Sequence, residues 1–321
     1  MATITDNAAP ARHSHRDEFV AFVIMAAALV AVPFTGIYPY FVMQALCFAL
    51  LACAFNLLIG YGGLLSFGHA MFLGTAGYCT AHALKVWGLP PELGILVGVA
   101  AATALAVITG LVAIRRQGIY FAMITLALSQ LLYFIYLQAP FTHGEDGIQG
   151  VPQGRMFGFL KLSDQTTLYY TILVVFLLAF LLIFRIINSP FGEVLKSIRE
   201  NEPRAISLGY KTDQYKLVAY ILSGGLAGLA GAMKIFVAQN ASLTDVHWSM
   251  SGEVVLMTLV GGLGTIFGPV VGAFVIIAMQ QYLAQFGQWV TVIQGGIFVI
   301  CVLTFRRGVI GELAHYFKRS L

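Results

Sequence analysis

The chain has 321 residues, 59% of them hydrophobic and only 10% charged, with a formal net charge of +4 and a mean hydropathy of +0.85. Soluble domains carry about 25% charged residues, so a soluble fold of this length would hold more apolar side chain than its core can bury; part of its solvent must be lipid. The basic residues lie between apolar runs rather than in one block, which argues against a nucleic-acid-binding surface.

Residues 1–18 form a polar tail that includes Arg12 and Arg16. The run from Phe19 to Phe34 has the look of a secretory signal core. No small-residue cleavage site breaks it before Pro33, however, and further apolar segments follow at once, so it reads as a first span. Apolar runs of spanning length lie at about 19–36, 40–60, 66–84, 93–114, 118–138, 167–187, 216–237, 252–267, 269–285 and 288–305. The predicted fold is all-α, a polytopic transmembrane helix bundle of about ten segments, some short or broken. The region 252–285 reads either as two short spans or as one broken helix, because Gly261-Gly262-Leu263-Gly264 and Gly268-Pro269 interrupt it. A short echo links Gly62-Gly63-Leu64-Leu65-Ser66-Phe67-Gly68 to the stretch 261–268; duplicated halves are common in transporters.

Two connections are long, an outer loop at 139–166 and an inner loop at 188–215. In the latter, Ser189 suits a helix N-cap and Pro190 the first helical position. Glu193 in the first turn and Arg199 near the end complement the helix dipole. Phe191, Val194, Leu195 and Ile198 fall at i, i+3, i+4 and i+7, which predicts a short amphipathic helix. Glu202-Pro203 breaks it, and a second turn runs to Leu208 with Gly209 as a left-handed stop. Such a hairpin can dock a protein partner or lie on the membrane surface. Its mixture of Glu193, Glu200 and Glu202 with Lys196, Arg199 and Arg204 favours docking over the mostly basic face of a surface helix.

In the segment 216–237, Gly224, Gly228 and Ala232 repeat every four residues, a small-residue face for close helix contact; Gly264, Gly268 and Gly272 repeat in the same way. Positive charge sets the orientation. With the N-terminus inside, fourteen Lys and Arg residues lie on inner segments and four (Lys85, Arg155, Lys161 and Lys234) on the outer side, which puts both termini in the cytoplasm.

The stretch from Ser189-Pro190-Phe191-Gly192 through Ile198-Arg199-Glu200-Asn201-Glu202 to Leu208-Gly209-Tyr210 resembles the coupling loop of permease subunits of branched-chain amino-acid ABC transporters. Three other stretches are similar to the same family: Asn56 to Ala70, Gly118 to Ala127, and Glu253 with 261–265 and Gly268-Pro269. Order and spacing hold over about residues 40 to 305. The resemblance implies a permease domain at 19–305 between cytoplasmic tails 1–18 and 306–321, multi-pass in a bacterial inner membrane. It also implies a second, related permease subunit, two cytoplasmic ATPase subunits that use ATP, and a periplasmic binding protein that delivers branched-chain or related small amino acids. Relatives carry urea, short amides and other small acids. Phe191, Glu193, Arg199, Glu200, Glu202, Arg204 and Gly209 are then the ATPase-coupling residues. In the outer loop, His143 stands where glycine is expected.

Leu222-Ser223-Gly224-Gly225-Leu226 resembles the signature of ABC ATPases, but it lies in an apolar helix and the chain has no GxxxxGK[ST] phosphate loop. No HExxH, GxSxG or paired metal-type histidines appear, so no catalytic residue, metal site or bound cofactor is expected. The four cysteines, Cys47, Cys53, Cys79 and Cys301, read as small buried hydrophobes. Polar groups inside spans are costly and mark candidate path residues: Asn56, Ser66, His69, Thr125, Gln130 and Glu253, with Gln44, Ser129, Thr258 and Gln294 as further members. Their bland role is hydrogen bonding between helices. A stand-alone secondary transporter or channel is the competing class. Such proteins place several ionisable residues in mid-span, and Glu253 is the one acid the sequence puts inside a segment.

Overall fold

The computed structural model describes residues 15–34, 36, 38–287, 289, 292–296, 299 and 308. Nine apolar helices carry the bundle among them: α1 (His15–Ala31), α2 (Pro39–Asn56), α3 (His69–Lys85), α4 (Pro91–Ala113), α5 (Ile119–Gln138), α6 (Gln165–Ile187), α9 (Thr212–Ala238), α10 (Trp248–Gly261) and α11 (Gly268–Leu283). Two short polar helices, α7 (Pro190–Glu200) and α8 (Glu202–Ser207), join α6 to α9. By length and composition α4, α5, α6, α9 and α2, extended by a π-helical turn at 57–61, are able to cross a membrane; the apolar helices Phe19–Phe34 and Gly268–Leu283 are shorter.

Nine of the ten predicted segments therefore fall on helices. The tenth, 288–305, is described at 289, 292–296 and 299, where 292–296 is helical and Gln294 is buried, while the tail 306–321, apart from 308, and residues 1–14 lie outside the described residues. The region 252–285 is two helices, not one broken helix. α10 and α11 pack together so closely that a Cβ on Gly272 would overlap the Met257 carbonyl, and one on Gly261 the Gly268 carbonyl.

Burial is uneven. α2 is apolar all round and almost wholly enclosed by α6, α9, α10 and α11, whereas α4 and α5 turn much of their surface outward. α9 crosses the interior. Its Gly224 and Gly228 sit against Ala106 and Ala102 of α4, and Gly231 sits against the Leu73 carbonyl of α3. Small side chains let these backbones approach, the packing mode of helices in lipid. Gly264 departs from its predicted helical face. It lies in the loop between α10 and α11 with φ +76°, while Gly268 opens α11 and Gly272 is helical.

Successive apolar helices join at alternate ends of the bundle. One end holds the π-helical turn, the loops 62–68 and 262–267, and the α7–α8 hairpin. The other holds four two-residue strands: β1 (Ile148–Gln149), β2 (Arg155–Met156), β3 (Leu160–Lys161) and β4 (Asn240–Ala241), paired β1 with β4 and β2 with β3. We call these the hairpin end and the β end. Of the outer-side cations, Lys85, Arg155 and Lys161 lie at the β end, and Lys234 lies in the last turns of α9, within the predicted segment 216–237, paired with Asp245. His143 adopts a left-handed φ of +59°, which explains why glycine is the expected residue there.

Candidate functional site

The hairpin end gathers most of the predicted site. The Ser189 hydroxyl accepts from the Gly192 N–H at 3.4 Å and Pro190 opens α7, as the sequence predicts. Asn201 caps α8 by accepting from Arg204 N–H at 3.1 Å, a role masked in the sequence by the adjacent Glu202-Pro203 breaker. Gly209 ends α8 with φ +89°.

The amphipathic face of α7 does not wait for a partner. Leu195 and Ile198 are buried, Leu195 lies near Gly62, and Phe191 stacks on Tyr215 of α9 with ring centroids 5.7 Å apart. The apolar stripe read as a docking face is therefore spent on the chain's own bundle, because the 57–63 stretch offers it a glycine-lined bed. Outward lie Glu193, Glu200 and Arg204, with Ile206, Leu208 and Tyr210 exposed around α8. Glu193 pairs with Lys196 at 2.8 Å, and Glu202 reaches the buried Lys216 of α9 at 2.5 Å, which ties α8 to the bundle.

Arg199 is the central link. Its Nη1 donates to the carbonyl of Gly60 in the π-helical turn, and its aliphatic stem covers Gly63, whose φ is +69°. A Cβ on Gly63 would lie 3.0 Å from Arg199 Cγ, so glycine is required both for the backbone angle and for the close approach. One turn back, Asn56 clamps the second broken stretch. Its Nδ2 donates to Thr265 O at 2.9 Å, and its Oδ1 accepts from Gly264 N at 3.0 Å. Asn56 at the end of α2 and Gly60 in the π-helical turn therefore hold Gly264 and Thr265 of the second broken stretch, while Leu195 and Arg199 of α7 cover Gly62 and Gly63 of the first. A π-helical turn inside a helix is uncommon and often marks a working site.

Ser66, His69 and Thr125 are fully buried. Thr125 Oγ1 accepts from Phe67 N at 3.1 Å, and Ser66 Oγ accepts from Gly68 N at 3.2 Å; between them they satisfy the irregular backbone ahead of α3. Ser251 of α10 does the same for Ala70 N at 2.9 Å. His69 Nε2 lies 2.8 Å from Ser223 Oγ, whose own proton goes to Ala54 O at 2.5 Å, which leaves the imidazole as donor. Ser223 is thus the useful residue of the ATPase-like pentapeptide, a bridge between α2, α3 and α9. These nominated path residues face packed protein rather than an open cavity.

Gln130 and Glu253 are only partly buried. Glu253 accepts from Gln280 Nε2 of α11 at 3.0 Å, and the charges of the Lys234–Asp245 pair act on it. That pair is 13% and 7% exposed, Lys234 also lies over the Phe48 ring, and Asp245 belongs to a 3₁₀ turn after α9. A lysine inside an apolar run was the visible signal for it; the partner eleven residues on was not, because the chain must turn to bring it back. Thr258 and Ser129 are buried, and Gln44 lies on α2. Among the described residues no group of three or more His, Cys, Asp or Glu could hold a metal ion.

A family model described as branched-chain amino acid transport system / permease component matches residues 37–302. The chain is 24% identical over 293 residues to the high-affinity branched-chain amino acid transport system permease protein LivM of Escherichia coli (strain K12), covering 82% of this chain and 67% of that protein. It is 27% identical over 171 residues to the autoinducer 2 import system permease protein LsrC of Salmonella typhimurium, covering 50% and 48% respectively. It is 27% identical over 152 residues to the xylose transport system permease protein XylH of Haemophilus influenzae, covering 44% and 40%. No solved structure matches.

Proposed function

Because the chain belongs to the family of permease components of branched-chain amino acid transport systems, we propose that it is the membrane-spanning subunit of an ATP-driven importer. In this reading it works in a bacterial inner membrane with both termini in the cytoplasm, beside a second, related permease. Two cytoplasmic ATPases, which alone bind ATP, dock at the hairpin end, and a periplasmic binding protein delivers the cargo at the β end.

One observation carries the proposal: α7 is seated on a π-helical turn through Arg199, so force applied to the hairpin reaches two broken membrane stretches through Gly60 and Asn56. The docking surface is the outer side of the hairpin, Glu193, Glu200 and Arg204 with the exposed Ile206, Leu208 and Tyr210. Asn56, Ser66, His69 and Thr125 serve the path by holding its irregular wall, and Gln130 and Glu253 are the members closest to an open surface.

The cargo we propose is a branched-chain or related small amino acid, following the LivM relative. Urea, short amides or other small acids are the second reading, and the relatives named for autoinducer 2 import and xylose transport indicate that permeases similar to this chain serve more than one cargo class. The decisive experiment is co-purification with candidate ATPases, followed by ligand-stimulated ATP hydrolysis in liposomes. Uptake by this chain alone without nucleotide would favour a stand-alone transporter and sink the proposal.

A further inference from the structure

The β2–β3 hairpin concentrates three unfavourable features in seven residues. Phe157 and Phe159 are 62% and 74% exposed and stack on each other with ring centroids 6.4 Å apart. Arg155 and Lys161 stand directly opposite in the strand register and both are exposed; like charges in that position repel. The turn puts Phe157 at φ +52° ahead of Gly158 at φ +79°, a left-handed pair for which an aromatic residue is a costly choice. Among the described residues no carboxylate forms an ion pair with Arg155 or Lys161. The acid in contact is Glu92, whose carboxylate accepts from the Phe157 N–H at 3.4 Å; Asp164 is engaged with Thr167.

The level of the hairpin identifies what offsets these features. Its base is fixed by buried Met156 and Leu162, and Gly154 lies against the ring of Pro91, the first residue of α4. The 23 residues of α4 extend about 35 Å, slightly more than a hydrocarbon core of about 30 Å. Its first turn therefore sits at the acyl–headgroup boundary, and Leu93 and Leu96, just below, are exposed as lipid-facing residues are. Apolar aromatics flanked by Lys and Arg at that depth match an interfacial anchor.

We propose that the β2–β3 hairpin is a membrane-interface anchor that inserts Phe157 and Phe159 between acyl chains and places Arg155 and Lys161 on lipid phosphate. The repulsion between the two cations is relieved by the anion they share, and the strained turn holds both rings on the membrane side. The hairpin follows α5 and precedes α6, so the anchor fixes the depth and tilt of two spans.

The test uses Phe159→Trp in the full chain, reconstituted into phosphatidylcholine–phosphatidylglycerol vesicles, with the unsubstituted chain as the emission reference. The added emission is expected to be blue-shifted and quenched by brominated acyl chains but not by aqueous iodide. Brominated phosphatidylglycerol is expected to quench it about twofold more than brominated phosphatidylcholine, and Arg155→Gln with Lys161→Gln is expected to erase that preference. Quenching by iodide alone, as for a Glu145→Trp reference, overturns the anchor. Equal quenching by both lipids overturns the phosphate contact. If Phe159→Trp does not assemble, a benzophenone amino acid at position 159 gives an independent answer: a phospholipid adduct supports the anchor, and an adduct to a protein subunit overturns it.

Discussion

The hairpin end is irregular but enclosed, while the β end is regular in its pairing yet left open. At the hairpin end, Leu195 and Arg199 of α7 lie against the π-helical turn and the left-handed Gly63 and Gly264, and backbone groups of the irregular stretches are met by Asn56, Ser66, Thr125 and Arg199. At the β end, β2 and β3 pair and display aromatic and charged side chains outward, while Ile148 of β1 and Ala241 of β4 turn inward. Non-helical backbone at membrane depth is tolerated where protein covers it. The hairpin end obeys that constraint by burying polar atoms against one another. At the β end the β2–β3 hairpin lies beside the first turn of α4, and its exposed side chains are free to meet external surfaces.

From this contrast, damage at the buried ion pair of the β end is expected to lower stability, and damage at the hairpin end to lower coupling. The largest effect is expected from Lys234→Met. It leaves Asp245 buried without its counter-charge, which costs about 3–5 kcal/mol, read as a lower melting temperature of the detergent-purified protein. Lys234→Met combined with Asp245→Leu should recover most of that loss; a double variant as unstable as the single one would show that the pair is not the cause.

Arg199→Ala comes next. Losing a charged donor to the Gly60 carbonyl costs about 1.5–3 kcal/mol, enough to lower nucleotide-driven uptake about tenfold or more while ATPase co-purification persists. Arg199→Lys, which lacks the planar fork, should be intermediate. Loss of ATPase binding with Arg199→Ala would instead mark the residue as part of the docking surface.

Asn56→Leu removes both a donor and an acceptor and is expected to cost about 1–3 kcal/mol, with faster amide exchange at 262–265. Asn56→Asp keeps the acceptor for Gly264 and should fall between wild type and Asn56→Leu.

The smallest effect belongs to Asp164, the exposed N-cap of α6 at the β end. Hydrogen bonds from the Thr167 hydroxyl and N–H hold its carboxyl below the ordinary value of 3.8. A lowered folded-state value means that its stabilisation is present above about 3.8 and is lost as pH falls through the folded-state value. Asp164→Asn should therefore flatten the acid limb of the melting curve slightly and leave uptake near neutral pH unchanged.

The sequence by itself determined the membrane class, the positions of nine helices, the Ser189 cap of α7 and the left-handed stop at Gly209. These depend on hydropathy and on signals within four residues of one another, which survive without tertiary context. It also singled out the residues of the hairpin end by type, since polar atoms within apolar runs are visible in one dimension. Only the tertiary structure decided their partners. Asn56 meets Gly264 across 208 positions, His69 meets Ser223 across 154, and Arg199 meets Gly60 across 139. It also reversed the reading of α7: periodicity shows that a helix has an apolar face, but which surface covers that face depends on where the chain returns. Here the glycines of 60–63 bring the bundle's own backbone close enough to take it.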